Sequence, residues 1–217
     1  MSLPLIILTT TVSVQDKVYL FQTDKNERAG VYTKKIKQWL KETDFPIVVV
    51  ENTGYTFPEL AEEAEQYKHR FEIISYVESD LKEADFLKGN PYKGASEIFS
   101  IHWAYHHTRL LPSEFIIKIT GRFFIPDLQM YLSSLQLENY DVLVQEKKNR
   151  CEMVGCRKDH FDHVFNTHLL NRAGNYDGNV EDVYEFRCEQ YSSVIHCPEF
   201  RIEGTQRGGI NEVFYTI

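Results

Sequence analysis

Short apolar runs recur along the chain, and each gives way to polar residues after four to seven positions. β-Branched residues are frequent in these runs, which is typical of strands. The pattern predicts strands over residues 5–11, 46–50, 71–77, 115–119, 140–145 and 154–157.

Between these runs, apolar residues recur at the three- and four-residue spacing of amphipathic helices. This spacing predicts helices over residues 28–42, 58–67, 96–111, 127–137, 161–171 and 180–190. Strands that alternate with helices form βαβ units. The predicted fold class is therefore α/β, with a mainly parallel central sheet of about six strands flanked by helices. No repeat or linker divides residues 1–217, so we expect one domain.

The 217 residues carry a formal net charge of −8. Nucleic-acid polymers and anionic membranes call for a basic face, so neither is expected as the main partner. The apolar start of the chain is too short to span a bilayer and has no basic residue before it. The four cysteines match no standard zinc spacing, and we expect them to be reduced and buried in a cytoplasmic protein.

Polar residues follow each predicted strand, and in open α/β sheets ligands bind beyond the carboxyl ends of the strands. Thr9, Thr10 and Thr11 end the first strand, and Asn52 follows the second. Neither a glycine-rich dinucleotide fingerprint nor a P-loop signature occurs, which counts against those two nucleotide-binding classes.

Residues 90–97 read NPYKGASE, and residues 116–124 read IIKITGRFF. These two segments resemble nucleotide-sugar-dependent glycosyltransferases of the Rossmann-like GT-A fold. Within that family the pairing is most similar to viral enzymes, such as those of chlorella viruses, that glycosylate a capsid protein. The resemblance implies a UDP-sugar donor, a glycan or glycoprotein acceptor, work in the host cytoplasm, and neighbouring domains in a longer polypeptide.

The resemblance also implies a metal ion. GT-A enzymes usually carry an Asp-x-Asp motif at a strand end, whose carboxylates hold Mn²⁺ or Mg²⁺ against the two phosphates of the donor. Here Thr120, Gly121 and Arg122 stand at that place. The nearest acidic pair is Glu78 and Asp80, which in extended backbone would point to the same face.

Two alternatives follow for the diphosphate. Either Glu78 and Asp80 hold the metal, or Arg122 replaces it in part together with Lys93 or Lys118. The resemblance offers His196 as a further metal ligand. Other histidines, among them His102 and His106 at helical spacing, are interpreted as packed or solvated rather than as ligands.

The resemblance gives roles to further residues. Thr9 to Thr11, Asn52 and Thr120 are candidates for the nucleotide, and Lys93 with Gly94 for an anion site at a helix start. A simpler alternative makes Ser96 the cap of that helix. Residues 204–209 read GTQRGG, and this glycine-rich pattern predicts a closing loop from which Arg207 reaches the diphosphate.

Three late acidic residues are candidates for the general base that activates the acceptor hydroxyl, namely Asp177, Glu181 and Asp182. The alternative is that they only stabilise a helix start. Two other functions stay open, a nucleotidyltransferase and a non-catalytic module that binds nucleotide sugars. A nucleotidyltransferase should carry a glycine-rich basic signature after its first strand, and this sequence has none there. A non-catalytic module would bind nucleotide sugars without turnover.

Overall fold

The computed structural model describes residues 3–14, 20–110, 113–147, 149–209 and 211–217. Nine strands are found there: β1 Leu5–Thr10, β2 Ile47–Glu51, β3 Phe71–Ser75, β4 Phe115–Thr120, β5 Val142–Gln145, β6 Met153–Arg157, β7 Val194–Cys197, β8 Arg201–Gln206 and β9 Val213–Thr216. The α-helices are α1 Lys25–Glu42, α2 Ala61–Gln66, α3 Lys93–His107, α4 Leu128–Ser133, α5 Phe161–Val164 and α6 Val180–Cys188. Short 3₁₀-helices cover Pro58–Leu60, Glu78–Asp80, Lys82–Leu87, Leu137–Asn139 and Lys158–His160.

Seven strands form one sheet in the order β3-β2-β1-β4-β6-β5-β7. β1 pairs in parallel with β2 on one side and with β4 on the other, so the chain order reverses at β1. β6 is the antiparallel member, between β4 and β5. Strands β8 and β9 form a separate antiparallel ribbon.

The central strands are mostly apolar because both faces of the sheet are covered. Ile6 and Leu8 face one core layer, and Leu5 and Ile7 face the other. α1 and α4 pack in the first layer, and α3, α5 and α6 in the second. The predicted fold class, a mainly parallel sheet flanked by helices, is confirmed.

Trp39 of α1 fixes the segment that follows β4. Its indole N–H donates to the Phe123 carbonyl at 2.8 Å, and its ring meets Phe124 edge-on with centroids 5.0 Å apart. The side chain is fully buried. One helix thus sets the position of the backbone that carries Arg122.

Several predicted boundaries were wrong. α3 begins at Lys93, so Ser96 is a buried residue inside the helix and not its cap, while Leu111 lies outside the described residues. The predicted helix over 161–171 ends at Val164, because the Asn166 side chain accepts from the His168 N–H and the Asn171 side chain from the Ala173 N–H. Such turns of asparagine compete with helix.

The sheet also exceeds the prediction of about six strands. β7 is separated from the end of α6 by five residues and is only four residues long, too short for a clear alternation of apolar and polar positions. The β8–β9 ribbon mixes polar residues with Gly204. Position 204 of β8 is occupied by glycine because an added Cβ would lie 2.7 Å from the Tyr215 ring of β9. The predicted closing loop over 204–209 is therefore strand up to Gln206 and loop only beyond it.

The four cysteines are free and buried, as predicted. In the part of the chain that the structure describes, no helix is long and apolar enough to cross a membrane.

We predict that Trp39→Phe lowers the free energy of unfolding by about 2–4 kcal/mol, because it leaves the Phe123 carbonyl without its donor and opens space beside Phe124. Urea denaturation measures this change. Met130→Ala on α4 is the control, since the Met130 side chain is exposed, and its effect is expected within about 0.5 kcal/mol. Equal stability of Trp39→Phe and wild type would contradict the role given to Trp39.

Candidate functional site

A cavity of about 330 Å³ opens at the carboxyl ends of β1 and β4. This is where the strand order reverses, the position at which open α/β sheets bind ligands. The cavity brings together nine of the predicted site residues: Thr9, Thr10, Thr11, Lys93, Gly94, Thr120, Arg122, Glu181 and Arg207.

Gly121 lets β4 end close to β1. Its N–H donates to the Thr9 carbonyl at 2.9 Å. An added Cβ would lie 2.7 Å from the Thr10 methyl group and 2.8 Å from the Thr9 oxygen. A side chain at this position would therefore force the two strand ends apart. The glycine of the KITGR segment is explained by this close approach.

Glu97 of α3 and Lys118 of β4 form an ion pair at one side of the cavity, 2.7 Å apart. Lys118 is fully buried and also donates to the Cys151 carbonyl at 2.6 Å. Glu97 accepts a further hydrogen bond from the Thr9 hydroxyl at 2.9 Å. The pair ties the helix to the ends of both central strands.

Each partner shifts the other's pKa. Burial alone would raise the pKa of Glu97, but Lys118 and Thr9 hold it below its ordinary value of 4.5. Burial would likewise lower the pKa of Lys118, but Glu97 raises it. Both groups therefore stay charged at neutral pH, and the Lys118 charge is neutralised inside the protein.

Arg122 takes a buried position directly after β4. It donates to the Gln22 side-chain oxygen, the Gln206 carbonyl and the Tyr32 hydroxyl at 3.3–3.4 Å, all at the long end of hydrogen-bond distances. Gly208 covers the guanidinium so closely that an added Cβ would lie 2.4 Å from one of its nitrogens.

Arg28 of α1 lies beside Arg122 and is also buried. It donates to the Thr11 and Gln22 carbonyls at 2.7 and 3.0 Å and to the Tyr32 hydroxyl at 3.0 Å. Burial lowers the pKa of Arg28, and the neighbouring Arg122 lowers it further. Arg28 and Tyr32 line the cavity but were missed by the sequence analysis.

Two helix starts form the opposite wall. Lys93 and Gly94 begin α3, and Asn179 and Glu181 flank the start of α6. The two starts touch, since an added Cβ on Gly94 would lie 2.9 Å from Val180. Neither helix has a side-chain hydrogen bond at its N-cap, so both direct partial positive charge toward this region.

Arg207 lies on the loop after β8 and lines the cavity. Its guanidinium is 3.6 Å from Glu152 and 3.9 Å from Glu181. Glu152 also accepts from the Arg150 side chain at 2.7 Å. Both contacts of Arg207 lie at the long end of the ion-pair range, so neither carboxylate holds it by a close hydrogen bond.

Seven other predicted residues do not line the cavity: Asn52, Glu78, Asp80, Lys118, Asp177, Asp182 and His196. Asn52 is buried behind it and accepts from the Thr11 hydroxyl at 2.9 Å. Lys118 faces Glu97, as described above. Asp177 accepts from the Asn179 N–H before α6, and Asp182 is exposed on that helix.

The residues predicted to hold a metal ion are not brought together. Glu78 and Asp80 lie in a 3₁₀-turn rather than in extended backbone, so their side chains do not share a face. Glu78 accepts from Asn52 and Ser96 at 3.1 and 2.9 Å. His196 is exposed on β7, at the opposite sheet edge from β3 and six strand spacings away, about 29 Å. One ion cannot bind all three.

Among the described residues, one group of three side chains could hold a metal ion: His102, His106 and Asp162. It lies on α3 and α5, about 14 to 20 Å along α3 from Lys93, and none of its three residues lines the cavity. The Asp162 carboxylate and the imidazole of His106 are 3.2 Å apart. This surface group is separate from the site.

No family model matches the sequence, and no curated protein is found to be related to it. Solved structures do share its fold. The bifunctional glycosyltransferase WbbM matches over 90% of this chain and 38% of its own, with 10% identity and a TM-score of 0.53. At that identity the likeness shows the fold alone.

Two further structures are similar at lower TM-scores. A protein from Desulfovibrio desulfuricans, named as a nucleotide-diphospho-sugar transferase, matches over 91% of this chain and 80% of its own, with 18% identity and a TM-score of 0.48. The galactosyltransferase LgtC, solved with donor and acceptor sugar analogues, matches over 89% and 73%, with 8% identity and a TM-score of 0.48.

We predict that Lys118→Met costs about 3–5 kcal/mol of folding free energy at neutral pH, because it leaves the Glu97 carboxylate without its cation. The double variant Glu97→Gln/Lys118→Met is expected to recover most of this loss, since it removes both charges. Urea denaturation of the three proteins makes the comparison. A double variant as unstable as the single one would contradict the ion-pair explanation.

The same pair predicts a pH dependence. Because the pKa of Glu97 in the folded protein lies below 4.5, the contribution of the pair is complete above that pH. It is lost as the pH falls through the lower folded-state value. The stability difference between wild type and Lys118→Met should therefore narrow in acid, and a difference that widens there would contradict the assignment.

Proposed function

We propose that this chain is a glycosyltransferase that moves a hexose or deoxyhexose from a UDP-sugar to a glycan acceptor. The observation that carries the proposal is the cavity at the strand-order reversal and its charge. Among the described residues, four basic side chains line it, namely Arg28, Lys93, Arg122 and Arg207. Glu97, Glu152 and Glu181 line it too, but Lys118 and Arg150 neutralise the first two, so the cavity keeps an excess of positive charge. A positive cavity in a chain of net charge −8 fits a small anion and not an anionic polymer.

The nucleotide is assigned to the end of β1. Thr9, Thr10 and Thr11 line the cavity there. Asn52 supports this segment from behind through Thr11, and the Glu51 carboxylate accepts from the Val12 N–H at 2.9 Å. This network supports a preformed binding surface for a nucleoside, since it orients the strand end without occupying the cavity.

The acceptor is assigned to the wall formed by α6. Of the three predicted carboxylates, Glu181 lines the cavity. In the proposed step the anomeric carbon loses its bond to the β-phosphate oxygen, and that electron pair leaves with UDP. The acceptor oxygen bonds to the anomeric carbon while its proton passes to Glu181, which acts as general base.

The resemblance to viral capsid-glycosylating enzymes supports a narrower version. In that version the acceptor is a glycan on a capsid protein, and the chain is one module of a longer polypeptide that works in the host cytoplasm. Transfer to purified capsid glycoprotein, compared with transfer to its deglycosylated form, tests this extension.

A non-catalytic module that binds nucleotide sugars is the second candidate. One observation favours it: Thr120, Gly121 and Arg122 stand where GT-A enzymes carry the acidic motif, and the cavity carboxylates Glu97 and Glu152 are already held by Lys118 and Arg150. Thermal shift with a panel of nucleotide sugars, run beside an assay for UDP release, separates the two candidates. Binding without release on any acceptor would favour the module.

We predict that Glu181→Gln lowers turnover about 100-fold or more, because the amide cannot accept the acceptor proton. Donor affinity is expected to change less than about threefold, since the variant keeps the shape of the cavity. Rates of UDP release and calorimetric affinities for UDP measure the two effects.

Glu189→Gln is the matched control, because Glu189 is an exposed carboxylate just beyond α6 that pairs with Arg172. Its turnover should equal that of wild type. If Asp177→Asn or Asp182→Asn abolished turnover while Glu181→Gln kept it, the base would be that residue and not Glu181.

A further inference from the structure

We infer that Arg28 and Arg122, held on either side of the Tyr32 hydroxyl, bind the donor diphosphate and take the place of the divalent cation that GT-A enzymes usually use. The inference rests on the proposed function and deepens it. It assigns the diphosphate to these two residues, called the arginine pair below, and makes donor binding independent of metal.

The first argument is uncompensated charge. Both arginines are buried, with exposed residue fractions of 3% for Arg28 and 6% for Arg122. Among the described residues, no carboxylate lies within ion-pair distance of either one. Glu51 acts on Arg28 from further away, and its oxygens already accept from the backbone at Val12, Thr53 and Tyr55. Buried charges are normally paired, so an anion is missing here.

The second argument is the geometry of the pair. Arg28 and Arg122 donate to the same Tyr32 oxygen at 3.0 and 3.3 Å, so these two nitrogens lie within about 6 Å of each other. Each guanidinium carbon is also 5.7 Å from the centre of the Tyr32 ring. The ring offsets part of the repulsion, but a cation–π contact is weaker than an ion pair with a buried anion. A diphosphate, with its charge spread over several oxygens, complements two adjacent guanidiniums.

The third argument is hydrogen-bonding capacity. A guanidinium has five N–H donors. Arg28 uses three of them, and the contacts of Arg122 are all long. Both residues therefore keep donors for a ligand in the cavity they line. Fixed donors aimed at the leaving group stabilise the charge that develops on it as the sugar departs.

The fourth argument concerns the metal itself. Mn²⁺ and Mg²⁺ prefer carboxylate oxygens that face the substrate phosphates. Here Arg122 stands where the acidic motif falls in GT-A enzymes, and two of the three carboxylates that line the cavity, Glu97 and Glu152, are paired with basic side chains at 2.7 Å. The third, Glu181, faces Arg207. A divalent cation added beside the arginine pair would be repelled, so the residues present do not fit it.

The loop after β8 completes the arrangement. Gly208 covers the Arg122 guanidinium, and its carbonyl accepts from the Phe21 N–H at 2.9 Å. Arg207, next to it, lines the same cavity. The loop therefore holds Arg122 in place and adds a third guanidinium on the ligand side.

Calorimetric titration of UDP into the metal-stripped protein tests the inference, first in EDTA and then with Mg²⁺ or Mn²⁺. We expect the two affinities to agree within about threefold. Arg122→Met should weaken UDP binding about 10-fold to 100-fold, the loss expected for charged hydrogen bonds, and should leave the affinity for uridine unchanged. Arg172→Met, an exposed arginine that pairs with Glu189, is the matched control and should bind UDP like wild type.

The outcomes separate the two proposals. UDP binding that requires metal overturns the inference and leaves the proposed function standing. Metal-free binding that Arg122→Met does not weaken overturns the assignment to the arginine pair. Failure to bind UDP with and without metal overturns the proposed function.

Because Arg28 also supports the Thr11 and Gln22 backbone, Arg28→Lys is used for that position, with its fold checked by circular dichroism.

Discussion

The site depends on how its buried cations are neutralised. Lys118 is neutralised within the protein by Glu97 at 2.7 Å, whereas Arg28 and Arg122 contact a tyrosine hydroxyl and carbonyl oxygens but no described carboxylate. The first arrangement stabilises the ends of the central strands. The second leaves positive charge facing the cavity, which is the property that an anionic donor requires.

Packing in the first core layer holds the arginine pair together. α1 carries Arg28 and Tyr32 in its first half and Trp39 near its end, so one helix contributes both a cation and the anchor of the segment after β4. Gly121 lets that segment pass close to β1 before it reaches Arg122. α1 and the end of β4 thereby bring the two guanidiniums together, and the loop after β8 holds Arg122 from the other side, which favours a preformed site.

The sequence predicted the fold class and most of the residues at the strand ends, because apolar runs and the polar residues that close them are local patterns. It could not predict which strand ends become neighbours. Glu78, Asp80 and His196 each follow or end a strand, yet the strand order separates β3 from β7 by the width of the sheet. Arg28 was missed because its spacing is that of an ordinary helix residue, and only the pairing of β1 with β4 brings it to Arg122.

Two adjacent buried guanidiniums cost folding free energy, because each loses hydration and the two repel. The Tyr32 ring and the surrounding carbonyls offset only part of that cost, so the unliganded protein is less stable than its apolar core would allow. A ligand that supplies the missing negative charge removes this penalty on binding. In the proposed function, donor binding is therefore coupled to the stability of the fold, since neutralisation of the arginine pair by a diphosphate would also relieve the repulsion between α1 and the segment after β4.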